Sequence, residues 1–142
     1  MSSDKQTLLD TINSHAPHFI SLLGGKMVDF DADQSLATFE FNVSKDYCHS
    51  IDVVQGGFVT AMLDIAMSHA VFASNQDVVG LSSLEIKTSY LESTRAGKLR
   101  VEGFVLKGGY KTAFLEGRMY NEAGQLTATA STVAKIARKP KQ

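Results

Sequence analysis

Hydrophobic and polar positions recur with two periods along this chain, and the changes of period mark out its elements. Near the start, Leu8, Leu9, Ile12 and Phe19 fall at roughly helical spacing. They predict an amphipathic helix over about 4–23, capped at Ser3 or Asp4, bent or ended by Pro17, and closed by Gly24 and Gly25. The next stretch, KMVDFDADQSLATFEFN, reads as a hairpin. Its first strand reaches Phe30, DADQ makes the turn, and LATFEFN alternates as the second strand. VSKDYCHSID is a loop. VVQGGFVTAMLDIAMSHAVFAS, residues 53–74, is almost uniformly apolar and predicts a helix over about 56–74. Such a helix is about 27 Å long. Three or four strands follow in VVGLSSLEIKTSYLES, GKLRVEGFVLKGG, KTAFLEGRMYNEAG and QLTATASTVAKIAR, and RKPKQ is a solvated tail.

This order is α+β. A helix apolar on nearly all sides is enveloped, so the expected architecture is a curved antiparallel sheet wrapped around one long central helix. Residues 1–142 are expected to form a single domain, since 142 residues suffice for one hydrophobic core.

Composition narrows the function. With 44% hydrophobic and 20% charged residues the chain is globular. A net charge of -1 argues against nucleic acid as a partner, because counterion release needs a basic face. The one cysteine, Cys48, excludes an intrachain disulfide and is read as a loop thiol. The start of the chain, MSSDKQTLLD, is too polar for a signal peptide, and the longest apolar run falls short of a membrane span. The expectation is a cytoplasmic protein without membrane association. No metal site is expected, since His15 and His18 have no acid or cysteine at ligand spacing. Met62 and Met67 are read as core packing.

Two features of the central helix point to chemistry. Gly56 and Gly57 sit at its start, where backbone N–H groups lack intrahelical partners and the helix dipole is positive. A carbonyl oxygen gaining negative charge is stabilised there, and glycine lets a substrate come close. A tight turn into the helix is the plainer reading of the same pair. Asp64 is a lone acid within the apolar run, and a buried carboxylate is costly unless paired. It can attack an acyl carbon or activate water; alternatively it satisfies neighbouring polar groups. His69, five residues on, is poorly placed to pair with it along the helix. Gly56 and Asp64 lie about 12 Å apart along the helix axis. One scissile carbonyl cannot meet both in one chain. If both act on one substrate they come from two copies, with central helices antiparallel in an isologous dimer.

These residues carry a resemblance. A loop ending in QGG, an apolar helix with an acid eight positions after the first glycine, then SLEIKTSYLES and GGYKTAFLEGRMYNEAGQLTATAST, resemble the hotdog-fold acyl-CoA thioesterases. The branch is that of phenylacetic acid degradation (PaaI-like, related to 4-hydroxybenzoyl-CoA thioesterases). The resemblance spans about 25–137. It implies hydrolysis of an aryl- or short- to medium-chain acyl-CoA, with coenzyme A as part of substrate and product and no resident cofactor. It implies an oxyanion hole at the Gly56 N–H and Asp64 of the partner subunit as general base or nucleophile. It also implies a homodimer that pairs further into a homotetramer. Ser83 falls where relatives carry a hydroxyl near the attacking water. His49, seven residues before Gly56, falls where they carry Asn or Gln. Gln55 stands where many relatives have His. Gln donates a hydrogen bond but cannot titrate. Gly57, Lys107 and Lys111 are candidates for substrate binding, the lysines toward the phosphates of coenzyme A together with Arg138 and Lys139. The Gln55 departure keeps open a hotdog module that binds acyl-CoA without turnover. An enoyl thioester hydratase is a further alternative, although its His–Asp helix pattern is missing.

Overall fold

The computed structural model describes residues 2–140. Helix α1 (Ser2–Ser14) and the short α2 (His18–Leu22) precede the hairpin β1 (Gly25–Asp31) and β2 (Leu36–Val43). A 3-10 turn (Lys45–Tyr47) and a loop lead into α3 (Gly56–Ser74), followed by β3 (Val78–Tyr90), β4 (Gly97–Gly108), β5 (Thr112–Asn121) and β6 (Leu126–Arg138). The predicted N-terminal helix is therefore two helices. Pro17 ends the first and stands as N-cap of the second, because its ring denies the chain a continuous hydrogen-bond ladder. Asp4 falls within the first turn of α1, not at its cap.

All six strands form one antiparallel sheet in the order β1-β2-β4-β5-β6-β3. The hydrophobic-in, polar-out alternation of β2, β4, β5 and β6 turns Phe39, Phe41, Val101, Leu115, Met119 and Ala134 toward α3. The helix answers with Val59, Met62, Leu63, Ala66, Met67 and Ala70, all buried. Each large side chain so buried contributes roughly 1.5–3 kcal/mol of transfer free energy. Helix and sheet come close at Gly103, where any Cβ would overlap the backbone of Ala66. The glycine is what lets the sheet curve in over the middle of the helix. This is the hotdog architecture.

The helix is not enclosed on every side. Gly57 is exposed and Ala61, Asp64 and Ser68, at 4-3-4 spacing, are half-buried. They form one stripe that the sheet does not cover. Asp64 is thus half-buried in the single chain, where the sequence suggested full burial. The reason is topological: β3 is an edge strand, so the sheet stops beside this stripe. By length and apolarity α3 would qualify as a membrane span, but it packs as the core helix of this sheet.

Candidate active site

The loop before α3 is fixed from several directions. The backbone N–H of His49 donates to Val53 O at 3.1 Å, that of Gln55 to Tyr47 O at 2.9 Å, and that of Val54 to Thr94 O at 2.8 Å. Arg95 bridges Asp52 at 2.6 Å, and the Tyr47 ring packs edge-on against Phe58. The loop therefore arrives at the helix start in one geometry, held against the β3–β4 connection.

At that start Gln55 is the N-cap. Its side-chain Oε1 accepts from the Gly57 N–H at 2.7 Å, and its backbone oxygen accepts from Phe58 and Val59. This leaves the Gly56 N–H, at the first helical position, with no acceptor among the described residues. Gly56 borders a cavity of about 550 Å³, lined also by His49, Val54, Val59, Tyr90 and Leu91. The departure at Gln55 has a plain structural outcome: its amide oxygen caps the helix through Gly57 and leaves Gly56 open. The His49 ring is exposed, with Nδ1 3.3 Å from Ser50 Oγ.

Asp64 lies two turns further on. Ser83, on β3, donates its hydroxyl to Asp64 Oδ1 at 2.9 Å. Oδ2 has no protein partner among the described residues. One carboxylate oxygen is thus anchored and the other is unpartnered, on a residue of the open stripe. Ser83 keeps acceptor capacity for a water proton after donating to Asp64. His69 does not pair with Asp64. Its Nδ1 lies 2.8 Å from Ile65 O, and its ring packs edge-on against Phe39 and Phe72. Burial lowers its pKa from 6.5, opposed by the Ile65 carbonyl and the Asp64 charge.

The sequence candidates therefore fall into three places. His49, Gln55, Gly56 and Gly57 meet at the helix start. Asp64 and Ser83 meet at its middle. Lys107 and Lys111 belong to neither, because they sit where β4 turns into β5. That is about 33 Å along β4 from Gly97, whose end abuts the Asp52 loop. Both lysines are exposed, and Arg138 is held there by a bidentate contact to Asp77. Tyr90 lies in the SLEIKTSYLES stretch that carries the resemblance, but nothing in the sequence gives it a place at the site. Its approach to Gly56, 34 residues away, depends on where β3 lies in the sheet.

Residues 52–128, more than half of the chain, match the family model described as the thioesterase superfamily. The chain belongs to the thioesterase superfamily. By family, this thioesterase is a thioester hydrolase. Its fold recurs in a phenylacetic acid degradation-related protein from Ralstonia eutropha, with a TM-score of 0.82 and 24% identity over 91% of this chain and 98% of that one. The Escherichia coli PaaI protein from the phenylacetic acid degradation operon superposes with a TM-score of 0.79 and 15% identity, over 91% of both chains. A Streptococcus mutans protein bound to acetyl CoA superposes with a TM-score of 0.70 and 21% identity, over 82% of the thioesterase and 91% of that chain. At these identities the likeness is one of fold. No curated protein matches the sequence.

Proposed function

We propose that this thioesterase hydrolyses an aryl- or short- to medium-chain acyl-CoA, at sites each built from two copies of the chain. The observation that carries the reading is the separation of two complementary half-sites on one helix. An unpartnered Gly56 N–H borders a cavity, and a carboxylate anchored by Ser83 lies about 12 Å along the axis on the uncovered stripe. Antiparallel pairing of two α3 helices sets Gly56 of one subunit opposite Asp64 of the partner subunit. It also covers the stripe. Beside that stripe, β3 presents a long open edge with Val79 and Leu84 57% and 62% exposed. An apolar edge of this kind is a template for a second strand. The dimer is the proposed functional unit, and further pairing into a tetramer is part of the same reading. The acetyl-CoA complex of the Streptococcus mutans neighbour supports a coenzyme A thioester as ligand.

In this arrangement the thioester carbonyl oxygen points at the Gly56 N–H. Asp64 of the partner subunit takes a proton from water as the water oxygen adds to the acyl carbon. Attack by the carboxylate itself, with water resolving the anhydride, is the other route. In both, negative charge collects on the oxygen at Gly56, the C–S bond breaks, and the coenzyme A thiolate takes up the proton. Ser83 holds one oxygen of Asp64 so that the other faces the substrate. His49 lies on the cavity wall, within the space the thioester would occupy, and Gln55 keeps the helix start in register. Lys107 and Lys111 are too far from Gly56 of their own chain to serve its substrate, so a role toward coenzyme A phosphates falls to the partner's end of the dimer. Coenzyme A is substrate and product, not a resident cofactor. A cytoplasmic location belongs to this proposal, because a ligand carrying several phosphates does not cross an apolar bilayer unaided.

The test is release of free thiol from an acyl-CoA panel by wild type and Asp64→Asn. The expected result is turnover by wild type and a kcat lower by about 10²–10⁴-fold in the variant. Saturable acyl-CoA binding with no thiol release by wild type would overturn the reading in favour of a binding module.

A further inference from the structure

Tyr90 closes β3 and reaches across to the start of α3. Its hydroxyl donates to the carbonyl oxygen of Gly56 at 2.8 Å. The same hydroxyl lies 2.9 Å from Thr60 Oγ1, which lies 2.8 Å from Thr88 Oγ1. A carbonyl oxygen only accepts, so the direction of the chain follows. Thr88 donates to Thr60, Thr60 to Tyr90, and Tyr90 to Gly56. Tyr90 is 55% exposed and lines the same cavity as Gly56, so its hydroxyl is not consumed in a buried core.

Gly56 is shaped for this contact. A Cβ there would stand 3.1 Å from the Tyr90 hydroxyl and 3.2 Å from the ring carbon that bears it. A side chain there would crowd the tyrosine, and glycine lets the ring pack against the helix start undisturbed. A glycine at the first helical position is also the most mobile backbone at a helix end. The Gly56 N–H shares its peptide plane with Gln55 O, which Phe58 and Val59 hold, and the Tyr90 bond holds the next plane, so the glycine is fixed on both sides.

We infer that Tyr90 is a positioning residue, which fixes the carbonyl side of Gly56 so that, with Gln55 O already held, the free Gly56 N–H meets the developing oxyanion. This rests on the reading of Gly56 as the oxyanion donor. Thr60 and Thr88 orient the Tyr90 hydroxyl and belong to the same device. The clamp acts on the transition state more than on substrate binding, because the oxyanion forms only during reaction.

The experiment compares Tyr90→Phe and Thr88→Val with wild type, on an acyl-CoA that wild type hydrolyses and Asp64→Asn does not. Tyr90→Phe keeps the ring and the cavity wall. It is expected to lower kcat by roughly tenfold with KM almost unchanged, short of the roughly hundredfold that an ångström of misplacement costs. Thr88→Val, which touches neither Gly56 nor the cavity, is expected to lower kcat in the same sense by less. A rise in KM at constant kcat would overturn the inference and make Tyr90 a plain cavity wall. A lower melting temperature at unchanged kcat would also overturn it, leaving a structural tie. Either failure leaves the proposed function standing, since that is read from wild type and Asp64→Asn. A wild type that releases no thiol overturns the functional reading and this inference with it.

Discussion

At the scale of single residues, Gly56 and Asp64 are each flanked by a partner that leaves open the atom the proposed chemistry uses. Gln55 caps Gly57 and spares the Gly56 N–H. Ser83 occupies Oδ1 of Asp64 and spares Oδ2. His69 shows a different balance. Its imidazole is held below its ordinary value of 6.5 by burial, against the opposing pull of the Ile65 carbonyl and Asp64. The folded state therefore binds this proton more weakly than the unfolded chain does. Stability rises with pH wherever the unfolded state holds more protons, so it is lost on acidification through 6.5 toward the folded value. Denaturant unfolding followed between about pH 5 and 7 should show that loss, and His69→Gln should flatten it. A variant that acidifies like wild type would assign the slope to other groups. Gly56 and Asp64 were legible in the sequence because an open glycine pair and a lone acid are conspicuous beside an apolar run. Ser83 could be placed only through the family resemblance, and Tyr90 not at all. Their contacts span 19 and 34 residues and are set by the sheet order.

At the scale of elements, α3 was legible as one long apolar run and the strands after it as β-rich stretches punctuated by glycine turns. α3 runs over Gly56–Ser74, as its apolar run predicts. The place of β3 was not legible. Alternation marks a strand but not its neighbours, and β3 follows the helix to the far edge to pair with β6. That single crossover leaves the Asp64 stripe uncovered and accounts for the half-burial of an acid that looked enclosed. The N-terminal helix broke at Pro17 for a local reason that the sequence did announce. The tight contact of Gly103 against Ala66 sets a sharp test of the packing. Gly103→Ala must push α3 away from β4. It should cost about 3 kcal/mol or more, read by urea or thermal unfolding. Unchanged stability would mean that helix and sheet separate freely, contrary to the close-packed core described here.

At the scale of the whole molecule, the central claim is that one chain carries two halves of different sites. It makes a demand that no single-chain site can meet. Gly56→Pro removes the N–H at the first helical position, where proline is well tolerated. Gln55, at φ -62° and ψ 138°, already has the extended backbone that a residue before proline adopts. Gly56→Ala places a Cβ against Tyr90 in the same way but keeps the N–H, so it serves as the control. Gly56→Pro and Asp64→Asn should each be nearly inactive alone, the former through the roughly 10²–10³-fold lost with an oxyanion donor. The decisive measurement is thiol release after the two inactive variants are unfolded together and refolded as an equimolar mixture. Half of the dimers would then be mixed, each with one intact site of two, so about a quarter of wild-type activity should return. Activity that stays at the level of the separate variants would contradict the shared site and place Gly56 and Asp64 in separate roles.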